Sequence, residues 1–444
     1  MVLAVVVLAG ALFGYDQGVI SGALTGIRKD FSLSPLLVET VTSWVTLGAL
    51  VGSLCGGYLA DRFGRRRALL YAGVLFIAGA LIEALAPSVS ILVVGRFVVG
   101  FGVGIAAVAA PLYSSELAPT AWRGRFVSAY QLAITAGIFF SYLIDEQLAS
   151  TDAWRWMLGA SGAVGVLLFL AVLPAEESPR WLIKMGRRTD ALAALQRIRP
   201  GANPAVRLNA YEAAMKLDAT EATWSEVFQA RWRRPLVVGL GLAIFQQITG
   251  INAIIYYANR IFEAAGFATA AAQTHATTWA IGGVNVLATL IAIAFIDRLG
   301  RRPLLLAGLV GMGASLLSVG LAFRAMGAPT SPGGPSTAGI VTLVSLVIFM
   351  ISFAFSLGPV VWTVISEIFP QKVRGRAIAI ATAVNWGAAF LVSQFFLSLV
   401  ERIGESSTFL LFAFFCVVGW IWVFRNVPET KGKTLEEIEG LWSV

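Results

Sequence analysis

Two charged motifs each occur twice in this chain, and the copies lie too far apart to belong to one short repeat. GYLADRFGRRR at Gly57–Arg67 returns as IDRLGRRP at Ile296–Pro303, and SELAPTAWRGR at Ser115–Arg125 returns as SEIFPQKVRGR at Ser366–Arg376. The offsets, 236 residues (61 to 297) and 251 residues (116 to 367), each exceed half of the 444-residue chain. A duplicated bundle, each half carrying both motifs, is the simplest cause.

The motifs interrupt chain that is otherwise apolar. With 57% hydrophobic and 13% charged residues and a mean hydropathy of +0.78, the chain has more apolar surface than one soluble core can bury, so lipid must solvate the rest. Twelve apolar runs of spanning length can be marked, from about 1–26 to about 407–425, six on each side of a charged middle. The expected fold is an all-α membrane protein of twelve transmembrane helices in two pseudo-symmetric six-helix bundles. The expected division is 1–175 for the first bundle, 176–234 for a cytoplasmic helical linker, 235–426 for the second bundle and 427–444 for a cytoplasmic tail.

Lys and Arg set the orientation. With Met1 inside, Arg28, Lys29, Arg155, Arg260, Arg324 and Arg402 fall outside, Arg96 falls within a span, and 26 of the 33 basic residues fall inside, as the positive-inside rule requires. Both termini are therefore expected in the cytoplasm, with the protein in the cell membrane. The net charge of +8 sits at helix ends and forms no stripe, which suits anionic lipid headgroups and offers nucleic acid no surface. The length of the first run, and the motif inside it, argue against a cleaved signal peptide; a short cytoplasmic tail is expected ahead of it. Cys55 and Cys416 lie in separate apolar runs and suit packing, not a disulfide or a metal. His275 is the single histidine, so histidine-based metal or acid–base chemistry has little to build on, and no cofactor is expected.

Residues 176–234 are rich in Arg, Glu and Ala and read as short amphipathic helices broken at Pro200, Gly201 and Pro204, with Trp224 and Phe228 as docking residues. The repeated charged motifs read as breakable latches at the inner helix ends. Asp61 goes with Arg65, repeated as Asp297 with Arg301, and Glu116 with Arg123, repeated as Glu367 with Arg374. Topology alone explains one such motif as well as a latch does, but four copies poorly.

Inside the spans, polar side chains must face a cavity or a partner. Gln246 and Gln247 open QQITGIN, Asn252 follows, and Gly250 can loosen the helix between them. An amide offers donors and an acceptor in fixed geometry, which suits adjacent hydroxyls. Interhelical bonding explains one amide equally well but a consecutive pair less well, since neighbours point about 100° apart around a helix. Asp16 is the only carboxylate in the middle of the first run, and Arg96 the only cation within a span. Counted from the outer helix ends they lie roughly 18 and 12 Å deep, so pairing is feasible. Glu83, nearer the outer end of the third run, is expected to reach interfacial water.

RFGRRR, VGRFVVGFGVG, YSSELAPTAWRGR, EESPRWL, QQITGINAIIYY, DRLGRRP, GPVVWTVISEIFP, RGRA and PETKGKTLEEIE together resemble the sugar porter family of the major facilitator superfamily, in the pattern of its bacterial proton-coupled monosaccharide symporters. The resemblance covers essentially the whole chain. It implies a hexose or pentose held midway between the halves and imported with a proton by alternating access. By resemblance, Gln131 in the fifth helix, Asn285 in the eighth, Trp362 after a Gly358–Pro359 break in the tenth and Asn385 in the eleventh join Gln246, Gln247 and Asn252 as sugar ligands. Phe13, Tyr256 and Tyr257 are expected to line the same cavity. The resemblance also favours Asp16 as the proton carrier. Burial and the Arg96 guanidinium act on its proton affinity in opposite senses, so a modest movement changes its charge. A monomer in the bilayer is the expected working unit. Glu176 departs from the usual Pro of the family, and Asn385 stands where many members carry Gln. A passive facilitator or a cyclitol–proton symporter would share these motifs, though the facilitator would not need Asp16 and Arg96. A membrane sugar sensor would carry a longer signalling tail, and a membrane enzyme would show a metal cluster or a nucleophile with its base.

Overall fold

A computed structural model describes residues 1–118, 123–151, 153–198, 203–217, 224–325, 336–369, 373–433, 435–440 and 442. Every regular element among them is helical. The first half holds α1 (Val2–Phe31), α2 (Pro35–Phe63), α3 (Arg65–Ala84), α4 (Val89–Leu117), α5 (Arg123–Leu148) and α6 (Trp154–Val172). Four short helices follow: α7 (Pro179–Lys184), α8 (Arg188–Ile198), α9 (Pro204–Leu217) and α10 (Trp224–Val227). The second half holds α11 (Arg233–Ile248), α12 (Ile251–Tyr256), α13 (Ala258–Ala264), α14 (Ala270–Ala276), α15 (Val284–Leu299), α16 (Arg301–Ala325), α17 (Thr337–Phe355), α18 (Leu357–Ile368) and α19 (Arg374–Asn426), and α20 (Leu435–Gly440) ends the chain.

Among the described residues, 11 helical runs are long and apolar enough to cross a bilayer. The last, α19, has 53 residues and turns at Gly404, where φ is 80°. At 1.5 Å per residue it would reach about 80 Å if straight, more than twice a hydrocarbon core, so it crosses twice and the crossings number twelve. Several crossings are broken. Gly250, with φ 94°, separates α11 from α12, and a π-helical stretch, Thr277–Gly283, joins α14 to α15. The tenth crossing breaks at Ser356 (φ −124°, ψ −98°), two residues before the expected Gly358–Pro359. Pro359 then falls in the first turn of α18, where a missing N–H costs no helical bond.

Small residues let these helices touch without a solvent-driven core. Gly10, Gly14, Gly18 and Gly22 recur every four residues on the face of α1 that meets α5, and a Cβ on Gly14 would overlap the Ile134 carbonyl.

The ends where α2 meets α3 and α15 meets α16 form a basic face. Gly64 (φ 102°) and Gly300 (φ 88°) make the two turns. The N-terminus opened by each turn is covered by a carboxylate from the end of the same half. Glu177 accepts from the amides of Arg65 (2.9 Å), Arg66 (3.2 Å) and Ser178 (2.8 Å). Glu429 accepts from Arg301 (3.0 Å), Arg302 (3.0 Å) and Lys431 (2.8 Å). Anions suit helix N-termini because the first amides have no intrahelical partner. Desolvation pushes the Glu177 carboxyl above the usual carboxylate range despite these bonds. At Glu429 desolvation also raises the value, but the amide bonds together outweigh it and leave the carboxyl below that range.

In the linker, Trp181 donates to the Asp61 carbonyl at 2.7 Å and so ties α7 to the end of α2. Phe228 does not dock: its side chain is 56% exposed. Pro200, Gly201 and the Trp224 side chain lie outside the described residues.

Candidate functional site

The centre of the bundle holds an ion pair. Asp16, halfway along α1, and Arg96, in the second turn of α4, meet at 2.7 Å (Oδ1 to Nη1) while 3% and 0% exposed. Arg96 Nε also donates to the Val41 carbonyl of α2 at 3.2 Å, so three helices fix the guanidinium. Glu83 corrects an expectation. It does not reach interfacial water; it is 1% exposed, with Oε1 3.6 Å from the same Arg96 nitrogen. The physical reason is Gly95, where a Cβ would come within 2.7 Å of Glu83 Cγ. The glycine leaves room for the side chain to lie across α4, and a residue's depth along a helix says nothing of the face it presents.

Beside the pair runs a chain of amides. Gln17 donates to Asn252 Oδ1 (3.4 Å) and to the Tyr256 hydroxyl (3.5 Å). Asn252 donates to Gln247 Oε1 at 2.8 Å, and Gln247 to Asn385 Oδ1 at 3.1 Å. Asn385 in turn donates to Gln246 Oε1 (2.7 Å) and to the Ala243 carbonyl (3.0 Å). Gln246 donates to the Leu357 carbonyl at 2.7 Å, next to the Ser356 break. Gly250 makes this arrangement, because the turn it permits aims Asn252 back at Gln247. The network thus joins α1, α11, α12, α18 and α19.

Other expected residues fall around this network. Asn285 is buried in the first turn of α15, Gln131 is half-buried on α5, and Trp362 is half-buried on α18 against the core. Phe13 packs on Trp386 with ring centroids 5.2 Å apart. Tyr257 departs from expectation: its hydroxyl donates to the Ser393 carbonyl (2.9 Å) and its ring stacks on Phe396 at 5.0 Å, which makes it packing between the α12–α13 junction and α19.

Of the expected basic-face pairs, Asp61–Arg65 is present and Glu367–Arg374 is replaced. Asp61 does meet Arg65, at 3.1 Å, and Arg65 holds Glu116 as well, at 3.0 Å. The second half repeats this, with Arg301 on Glu367 at 3.1 Å and Thr430 donating to the same carboxylate at 2.6 Å. Arg374 instead donates to the Phe369 carbonyl at 3.0 Å. The side chains of Arg123 and Asp297 lie outside the described residues. A guanidinium on the first turn of α3 or α16 points across to the end of the neighbouring α4 or α18, whereas the Arg of RGR starts the next helix.

Several polar residues here were missed by sequence reading. Gln17 was hidden beside Asp16. Glu177 and Glu429 each precede a hydroxyl residue, in Glu177–Ser178 and Glu429–Thr430, where a six-helix half ends, and that recurrence was the available signal. Glu39 and Asp145 sit in apolar runs but near the far ends of α2 and α5, and both are buried. Glu39 accepts from the Ser398 amide (2.6 Å) and hydroxyl (2.7 Å). Asp145 accepts from the Gly22 amide at 3.1 Å. The bonds joining the halves cluster at this face, opposite the basic one. They include Ser43 to Gln394 at 2.6 Å, Asn259 N to Ser21 Oγ at 3.1 Å and Tyr142 to the Ile255 carbonyl at 2.8 Å. Among the described residues, no group of three or more His, Cys, Asp and Glu side chains could hold a metal ion.

Two like halves clasped at one face, with a polar network at the centre of an apolar bundle, define a membrane transport protein. The chain belongs to the sugar (and other) transporter family, whose model matches residues 2–442. It is 37% identical over 443 residues to an arabinose-proton symporter of Bacillus subtilis (98% of this chain, 93% of the relative). It is 39% identical over 433 residues to a galactose-proton symporter of Escherichia coli (97% and 92%). The fold is similar to a partially occluded, inward-open structure of the xylose transporter XylE from E. coli, with TM-score 0.83, 30% identity and 98% coverage of each chain.

Proposed function

We propose that this protein imports a monosaccharide together with a proton across the cell membrane by alternating access, as a monomer, with the basic face and both termini in the cytoplasm. The observation that carries the reading is the buried Asp16–Arg96 pair, one residue from the amide network. The named relatives carry arabinose and galactose with protons. Gln246, Gln247, Asn252 and Asn385 are the sugar ligands. Each is hydrogen-bonded to another side chain, and sugar hydroxyls, being donors and acceptors at once, can replace such bonds one for one. Asn285, Gln131, Tyr256, Phe13 and Trp362 complete the cavity, Trp362 as an apolar platform for a pyranose face.

The coupling follows from position. A proton on Asp16 frees Arg96, and the freed α1 moves Gln17 against Asn252, so sugar and proton occupancy are read by the same helix. With the halves clasped opposite the basic face, this is the state open to the cytoplasm. In vesicles with an imposed pH gradient, Asp16→Asn is expected to lose uphill accumulation and retain exchange down a gradient. Undiminished uphill uptake in that variant would overturn the reading, and uptake by the parent protein that is insensitive to the gradient would make it a passive facilitator.

A further inference from the structure

We propose that Glu83 is a second proton-exchanging carboxyl, which shares the Arg96 guanidinium and one exchangeable proton with Asp16; this rests on the symport reading above. Asp16 holds Arg96 Nη1 at 2.7 Å and Glu83 Oε1 stands 3.6 Å from the same atom. Among the described residues, neither that Glu83 oxygen nor Arg96 Nη2 has a hydrogen-bond partner, although both are buried. An unmatched acceptor thus stands 3.6 Å from one terminal nitrogen of a guanidinium whose other terminal nitrogen is an unmatched donor. The charged and titratable groups around Glu83 are few. Arg96 faces it from α4 and Asp16 from α1, with Tyr256 of α12 beyond them. On α6, Gly159 and Gly162 meet Ala84 and Ala80 of α3. At its start Arg155 donates to the Ala86 carbonyl at 3.3 Å and is held by Asp30 at 2.7 Å.

Charge decides what such a triad does. Two carboxyls and one guanidinium in an apolar interior are neutral as a group when one carboxyl carries a proton. With Arg96 on Asp16, that proton rests on Glu83. When it passes to Asp16, one O–H bond breaks at Glu83 and one forms at Asp16, Arg96 transfers its ion pair to Glu83, and the total charge is unchanged. Asp16, beside Gln17, is the point of entry and exit, and Glu83 keeps Arg96 neutralised while Asp16 is protonated. Release leaves one negative charge shared over Arg96, which drives reloading from the proton-rich side. Without Glu83, a protonated Asp16 would strand Arg96 as a lone buried cation.

The test is gradient-driven uptake in proteoliposomes as a function of external pH, beside counterflow, with whichever of labelled arabinose, galactose or xylose gives counterflow. For Glu83→Gln the pH of half-maximal uptake is expected to fall by about one unit or more, the scale of one nearby charge. Glu83→Asp should return it partway, and continued counterflow reports that both variants fold. If the parent protein shows no gradient-driven uptake, the symport reading fails whatever the variants do. If it does, and the Gln profile coincides with the parent's, Glu83 is a packing residue and the proposal is overturned. Should the Gln variant not fold, an infrared difference spectrum between the parent and Asp16→Asn supplies the answer. Loss of a protonated-carboxyl band in Asp16→Asn is expected, because Glu83 then ionises against Arg96, while Asp145 contributes equally to both spectra. A spectrum without that loss overturns the proposal.

Discussion

At the residue scale, Asn385 is the hinge of the amide network, since it receives from Gln247 and donates to both Gln246 and the Ala243 carbonyl. Its loss leaves at least one buried partner unmatched, at about 1–3 kcal/mol. Asn385→Ala is therefore expected to raise the half-saturating sugar concentration in counterflow roughly tenfold or more, at about 1.4 kcal/mol per tenfold. An unchanged value would remove Asn385 from the sugar site. Gln246, Gln247 and Asn252 were legible in the sequence, because adjacent amides in an apolar run demand an explanation. Glu83 and Tyr257 were not. The facing of Glu83 on its helix is fixed by a neighbour's small residue, Gly95, and that of Tyr257, between α12 and α13, by the Phe396 ring.

At the element scale, the glycine face of α1 and the carboxylate caps of α3 and α16 make opposite demands, one for closeness and one for charge. Gly14→Ala places a methyl into the Ile134 backbone carbonyl, which cannot rotate away, whereas Gly57→Ala meets nothing within 4 Å. The first should cost roughly 1–3 kcal/mol, seen as a lower melting temperature in detergent, and the second should be near neutral; equal melting temperatures would refute the seam. The caps predict a pH dependence of each sign. Glu429 lies below the ordinary carboxylate range in the folded chain. Its contribution to stability is therefore complete above that range and is lost as pH falls through the depressed value. Glu177 lies above it, so the folded chain holds that proton more tightly and loses stability as pH rises through the raised value. Melting curves against pH should flatten on the acid side in Glu429→Gln and at the raised value in Glu177→Gln. The sequence made the helices and their charged turns readable, because apolar length and Gly–Arg clusters are local properties. It left the caps unread, since Glu177 and Glu429 act on turns more than a hundred residues away.

At the scale of the whole molecule, duplication was legible because its markers are charges that cannot enter lipid, so they survive as punctuation in both halves. Which face is clasped was not legible, because under the alternating access proposed above it is one of two arrangements of the same sequence separated by a few interhelical bonds. Those bonds are now identifiable. Glu39 on α2 receives two from Ser398 on α19, at 2.6 and 2.7 Å, and Ser43 gives one to Gln394 a turn deeper. Bonds to a charged group are worth about 1.5–3 kcal/mol, so Glu39→Ala should move the balance between the two arrangements roughly tenfold or more towards opening at this face. Spin labels at exposed Leu36, near the start of α2, and Ile403, beside the Gly404 turn of α19, on a Cys55→Ser, Cys416→Ser background would report it as a larger population at long separation. The same variant should exchange sugar at a different rate, since a carrier biased to either side waits longer for its return step. A distance distribution identical to that of the labelled parent would mean that the clasp lies elsewhere, with Ser21–Asn259 and Tyr142–Ile255 next to be cut.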